Sequence, residues 1–245
     1  MTFNVEPPVT TTCETMHPRN HISASVALAL FVSTGNANAE VLSCEGAPLT
    51  VSASDSALAE KTCRAASRTL PLIAECGVVL KHPQDIEVMD EIAESPNCMG
   101  VYHCGQNSID ILSPRAIENL RRDESAFAAV PTPSYFESVL AHELAHAAYD
   151  AVHCPFSDCL VTSEYVAYAM QVYSLPLPER RLFEADVAMH DKVSRYEISR
   201  IGLLMAPDQF ARNVWAHFSQ REDGCAYVAD MMRANFYLDN ERPEP

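Results

Sequence analysis

Residues 142–146 read His-Glu-Leu-Ala-His, two imidazoles four positions apart with a carboxylate directly after the first. On a helix, positions i and i+4 stack on one face, so both rings can reach a single metal ion. Glu143 follows the first ring, where it can reach a water held by that ion instead of the ion itself. A bound zinc lowers the pKa of such a water, and a carboxylate beside it can take the proton as the water attacks a carbonyl. The same carboxylate can then pass the proton to the leaving group. The chemistry written into these five residues is metal-assisted hydrolysis with His142 and His146 as ligands and Glu143 as general base.

A catalytic zinc takes a third protein ligand and keeps one position for water. Glu164 fits that part, in the first turn of the next expected helix, where the helix N-terminus favours an ionised carboxylate. His153 is the rival, seven residues past His146. Seven residues of continuous helix rise about 10 Å, too far to share the ion unless the helix breaks, and no glycine near Tyr149-Asp150 eases a break. A developing oxyanion also needs a donor. Tyr168, Tyr196, His190 and His217 all carry one, and their order in the sequence does not rank them.

These elements resemble the zincin metallopeptidases, specifically the gluzincin branch, in which HExxH is completed by a glutamate on a following helix. The resemblance is carried by residues 135–170 and more loosely by 100–170. It implies zinc as cofactor, a peptide or protein substrate, and an α+β fold with a small mixed sheet packed on the HExxH helix and a mostly helical C-terminal part. It also implies that substrate lies along an edge strand. Ser108–Leu112 precedes the motif at the matching place, so Asn107, Ser108, Ile109 and Asp110 are the expected substrate-facing residues. Two departures stand out. The His146–Glu164 interval is short for gluzincins, and Tyr168 occupies the position where some of them carry an aspartate that orients the first histidine, so that support must come from elsewhere. The metzincin pattern fits worse, with Tyr149 at its glycine position and Val152 at its third-ligand position.

The elements that must position these side chains follow from periodicity and punctuation. Leu58, Cys63, Ala66, Leu70 and Ile73 fall at helical spacing over 54–76, with Pro71 as a possible split into two helices. Residues 86–89, 101–104 and 108–112 read as strands, the last two joined by the turn residues Gly105-Gln106-Asn107. Ser113-Pro114 starts a short helix to about residue 122. The HExxH helix is expected over 135–152, and the next from 162–163 to about 173 before Pro176 and Pro178. Beyond 179 three or four further helical stretches are expected, at about 179–192, 194–204, 207–221 and 225–239.

Composition bounds the reading. A chain of 245 residues with 48% hydrophobic residues has room for one substantial core. The net charge of −16, from 33 acidic against 17 basic residues, repels a phosphate backbone, and the pairs Arg121-Arg122 and Arg180-Arg181 are too isolated to overcome it. Nucleic acid is therefore not an expected partner. No Walker loop, dinucleotide fingerprint, GxSxG elbow or calcium-loop spacing is present.

Near the N-terminus, Met16 opens a second possible start: a short segment with Arg19, the apolar run 22–32, then Ala37-Asn38-Ala39. That layout is a secretory signal cleaved after Ala39, with residues 1–15 an extension and 40–245 a single mature domain. The apolar run is too short for a comfortable membrane span. Cleavage removes Cys13 from the nine cysteines and leaves an even eight, which suggests disulfides in a periplasmic or secreted protein. Cys98–Cys104 and Cys154–Cys159 are the close pairs. Cys44, Cys63, Cys76 and Cys225 then supply two more bridges, a means of tying the C-terminal helices to the N-terminal part. Two alternatives to peptide hydrolysis stay open: a non-catalytic exported domain that binds metal or protein, and a zinc hydrolase of non-peptide amides or esters.

Overall fold

The computed structural model describes residues 40–185 and 192–239. The expected signal segment, its start at Met16 and cleavage after Ala39, and the donor candidate His190 lie outside those residues. The described part is an α+β fold, a five-stranded mixed sheet packed against helices and followed by a mostly helical C-terminal region.

The strands are β1 (Glu40–Ser43), β2 (Leu49–Ala53), β3 (Gln84–Met89), β4 (Gly100–His103) and β5 (Ser108–Leu112), in spatial order β1-β2-β3-β5-β4. Alternation decides which face is buried: in β3, Gln84, Ile86 and Val88 point inward while Asp85 and Glu87 face solvent. β2, β3 and β5 are parallel neighbours, and β1 and β4 close the two ends antiparallel. The parallel β2–β3 pair needs a long crossover. Helix α1 (Ser56–Ala74) provides it, capped by the Asp55 carboxylate, which accepts from Leu58 N–H. Pro71 does not split this helix. It stands in the last turn on the solvent side, where water can satisfy the carbonyl it leaves unpaired.

The short helix α2 (Pro114–Leu120) starts on the Ser113 side-chain cap. It leads to α3 (Thr132–Tyr149), which begins three residues before the expected point because Pro133 is accommodated in its first turn. Nearly every residue of α3 from Tyr135 onward is buried, since α1, α4, β4 and β5 surround it. Helix α4 (Leu160–Tyr173) is likewise buried almost throughout. The C-terminal helices are α5 (Leu177–Ala185, at the edge of the described residues), α6 (Arg200–Met205), α7 (Pro207–Ser219) and α8 (Gly224–Met232), the last three shorter than their apolar spacing suggests. The stretch expected as one helix over 194–204 is a short 3-10 turn at Arg195–Glu197, followed by a fresh start at α6 capped by Ser199. Helix α8 stops at Met232, Ala234 adopts a left-handed conformation (φ 59°), and the chain folds back towards α4.

Three disulfides staple the described residues. Cys44–Cys63 joins the β1–β2 turn to α1, Cys76–Cys225 ties the end of α1 to α8, and Cys154–Cys159 closes the α3–α4 turn. The expected Cys98–Cys104 bridge is not formed; Cys98 is a buried thiol. The reason is local geometry. The extended strand β4 lies between the two residues, and at roughly 3.3 Å per residue it carries them well beyond the 4.4–6.8 Å Cα separation a disulfide needs.

The edge-strand expectation also needs correction. β5 is interior, paired with β3 on one side and β4 on the other, so Ser108, Ile109 and Asp110 have sheet partners on both sides. Asn107 sits in the hairpin turn with φ 54°. The edge beside the HExxH helix is β4. Strand order is a long-range property that an alternating stretch does not encode.

Candidate metal centre

Hydrogen bonds from α3 to α4 run His146–Ser163 and His142–Gln171, so the two helices are antiparallel. The short turn closed by Cys154–Cys159 makes that reversal, and it returns Glu164 to the histidine face of α3. The two Nε2 atoms stand 3.1 Å apart. Glu164 faces both, with Oε2 3.7 Å from His142 Nε2 and Oε1 3.5 Å from His146 Nε2. The three residues form a cluster whose ligand atoms all lie within 4.8 Å of one another, and all three are buried. This is the gluzincin pattern of HExxH plus a downstream glutamate. His153, the rival ligand, is not in the cluster.

Each ring is held by its other nitrogen. His142 Nδ1 lies 3.0 Å from Gln171 Oε1, and His146 Nδ1 lies 2.9 Å from Ser163 Oγ. A Gln171 carbonyl can only accept, so His142 carries its proton on Nδ1 and turns a lone pair on Nε2 towards Glu164. Gln171 thus supplies the support that Tyr168 does not. Neither Gln171 nor Ser163 was singled out in the sequence. Gln171 sits two helical turns past Glu164 on the same face, and that i+7 spacing is the signal that could have found it.

The electrostatics favour a cation. Burial drives His142 well below its ordinary range, with His146 reinforcing the shift, and lowers His146 to about 4, so both rings are neutral and competent as ligands. Burial pushes Glu143 up to about 8, opposed by the Tyr102 backbone N–H, and drives Glu164 well above the usual carboxylate range, with Glu143 adding to the effect. No oxygen of either carboxylate makes a well-formed hydrogen bond. Two buried acids without a well-formed hydrogen bond are costly in an otherwise apolar setting. A divalent ion among these donors would satisfy Glu164 and reverse the penalty on its charge. Two neutral imidazoles and one carboxylate are also a ligand set that zinc takes at catalytic sites. The residues fit the ion.

Glu143 points the other way from the ligand pair's supports, towards β4. Leu112 N–H donates to Met99 C=O, which sets Met99, Val101 and His103 in the positions that bond to β5. The backbone groups of Gly100 and Tyr102 therefore point away from β5. Gly100 also lets the strand approach: a Cβ there would come within 2.7 Å of Glu143 Oε1. Beside the cluster is a cavity of about 60 Å³, whose lining includes Met99, Val139, His142, Glu143, Tyr168 and Gln171. Arg122 and Asp208 stand at its rim and pair with each other, and Asp208 also accepts from Ala126 N–H at 2.6 Å.

The four donor candidates separate in space. Tyr168 lines the cavity, with its ring edge-on to His142 at 4.6 Å between centroids. Tyr196 is 90% exposed on the 3-10 turn. His217 is buried on α7, bonded to Tyr165 and Arg221, and is not among the cavity residues. His190 lies outside the described residues. Among the described residues, no helix is long and apolar enough to cross a membrane.

Comparison with curated proteins and with solved structures finds no match for the chain. A family profile does match, over residues 49–241, a span that takes in the sheet from β2 onward and the whole metal cluster. The chain belongs to that family, described as a family of unknown function, DUF6639.

Proposed function

We propose that the protein is an exported zinc metallopeptidase of gluzincin type, with His142, His146 and Glu164 as metal ligands and Glu143 as general base. One observation carries the reading: the buried convergence of both Nε2 atoms on Glu164, with a second acid beside them facing a cavity. Zinc held there would act as a Lewis acid and make water nucleophilic at neutral pH.

The remaining chemistry belongs to the chain. Glu143 accepts the water's proton and delivers it to the leaving nitrogen, a task suited to a carboxylate whose burial has raised its pKa. Tyr168 is the candidate donor to the developing oxyanion, because its ring borders His142 and the cavity. The outward backbone groups of Gly100 and the outward Tyr102 C=O offer an extended substrate a strand to pair with. About 60 Å³ holds a few waters and no peptide residue, so a bound substrate would extend beyond the cavity. Export is supported by three disulfides, which persist in oxidising compartments.

The test is hydrolysis of a mixed peptide library by zinc-loaded wild type and Glu143→Gln, with small amides and esters in parallel. The expected result is peptide cleavage that falls by roughly 10²- to 10⁴-fold in the variant while zinc content is unchanged. Turnover confined to small amides or esters would assign a different hydrolase, and equal activity in the variant would remove Glu143 from the mechanism.

A further inference from the structure

Helix α4 carries Glu164 and Ser163, the groups that bear on His142 and His146, yet locally only its first amide is capped, Leu160 N–H donating to Asp158 Oδ1 at 3.3 Å. Cys159, the residue before it, makes no capping side-chain bond. The first amides of a helix have no intrahelical acceptors, and a helix start left bare frays or shifts. The acceptor for the next two amides comes from the far end of the chain. Asp239 Oδ1 accepts from Val161 N–H at 2.9 Å, and Asp239 Oδ2 accepts from Thr162 N–H at 3.0 Å and from Thr162 Oγ1 at 2.5 Å. Thr162 Oγ1 in turn accepts from Leu238 N–H at 2.8 Å. Asp239 and Thr162 are both buried.

The segment that delivers this carboxylate is itself fastened over the α3–α4 turn. The Tyr237 hydroxyl donates to His153 C=O at 2.7 Å, Arg195 donates to Tyr237 C=O at 3.0 Å, and the Tyr237 ring packs against Phe156. Tyr149, the last residue of α3, also lies within electrostatic reach of Asp239. One buried acid therefore caps the start of the helix bearing Glu164 while lying near the end of the helix bearing His146. The residues directly after the capped pair are Ser163, 2.9 Å from His146 Nδ1, and Glu164 itself.

We propose that Asp239 is a positioning residue of the metal centre: by capping α4 from the C-terminal segment it fixes the rotation and depth at which Ser163 and Glu164 meet the two histidines. The proposal rests on the zinc reading above, since it assigns Asp239 a part in holding that ligand set. It makes metal affinity depend on a carboxylate that touches neither the ion nor substrate. Residues that orient metal ligands through a hydrogen bond typically account for 10- to 100-fold in affinity.

The experiment is zinc titration of the full chain against a chromophoric chelator, for wild type, Asp239→Ala and Thr162→Val. The visible spectrum of each protein loaded with Co²⁺ reports ligand geometry, and melting with and without zinc reports stability. Wild type is expected to bind one zinc. Asp239→Ala is expected to bind it about 10- to 100-fold more weakly with an altered cobalt spectrum, and Thr162→Val to fall several-fold. Wild-type affinity in Asp239→Ala, with the same loss of melting temperature whether or not zinc is present, would reduce Asp239 to a fold-stabilising cap and leave the metallopeptidase reading intact. If Asp239→Ala does not fold, Thr162→Val decides, and unchanged affinity and spectrum in it overturn the proposal. Failure of wild type to bind zinc at all overturns both readings together.

Discussion

Gly100 and Glu143 are in such close approach that a single added methyl group at residue 100 would fall 2.7 Å from the Glu143 carboxylate oxygen and 2.8 Å from its Cγ. The strand and the helix are thus spaced for glycine at that position, and the acid is held against the strand by the same fit. Gly100→Ala forces Glu143 to move or β4 to draw back. The expected outcome is a stability loss of about 1–3 kcal/mol and a drop in hydrolysis larger than that loss explains. Zinc content is expected to stay at the wild-type value, because Glu143 lies outside the His142–His146–Glu164 cluster. Urea unfolding, peptide hydrolysis and metal analysis of the purified variant check the three parts.

The hydrogen bonds behind the ligands give a second prediction. Gln171→Ala frees His142 Nδ1 and Ser163→Ala frees His146 Nδ1. Each is expected to weaken zinc binding by roughly 10- to 100-fold while the fold survives. Gln171→Glu is expected to recover binding, since a carboxylate oxygen can accept the same Nδ1 proton. Chelator competition at pH 7 measures all three, and an Ala variant with wild-type affinity would count against the assigned orientation of its ring.

How much of this was legible in the sequence depends on how local the information is. His142, Glu143 and His146 sit on one continuous helix, so their relation follows from the helical repeat alone. Glu164 required only one short turn, already marked by Cys154, Pro155 and Cys159. The choice of β5 as the substrate edge failed because β4 and β5 are both good strands, and only the assembled sheet reveals which of them is outermost. Cys98 and Cys104 are near in sequence, but an extended strand drives them apart, whereas Cys76 and Cys225 are 149 residues apart and bonded. Asp239 lies 77 residues from its partner Thr162, and no local pattern announces it.

A pH dependence follows from His217. Its Nε2 is 2.9 Å from Arg221 and its Nδ1 is 2.9 Å from the Tyr165 hydroxyl, an arrangement for a neutral ring. Burial, reinforced by the Arg221 charge, lowers His217 from its ordinary 6.5 to about 4. The unfolded chain therefore binds this proton more readily than the folded one. Above pH 6.5 the residue contributes its full share, and that share is lost as pH falls towards 4. By pH 5 the loss amounts to about 2 kcal/mol. His217→Gln is expected to flatten that part of the curve, measured as the difference from wild type in urea unfolding between pH 8 and pH 5.

Of the three bridges among the described residues, Cys76–Cys225 closes the longest loop, with a sequence separation of 149. Restricting the unfolded chain to that extent is worth about 5 kcal/mol at most on chain-entropy grounds. The double variant Cys76→Ser with Cys225→Ser is expected to lose several kcal/mol, and more than the double serine variant of Cys154 and Cys159, whose loop spans 5 residues. Opening the short bridge is expected instead to weaken zinc binding, because that turn sets α4 beside α3. Paired unfolding curves and zinc titrations separate the two effects.

X-ray absorption at the zinc K-edge of the stoichiometrically loaded protein examines the metal centre most directly. The expected shell is two imidazole nitrogens at about 2.0–2.1 Å, carboxylate and water oxygens at about 2.0–2.2 Å, and no sulfur. Loss of the carboxylate contribution in Glu164→Ala would complete the assignment. A sulfur shell near 2.3 Å, or a wild-type protein that holds no zinc in stoichiometric amount, would contradict it.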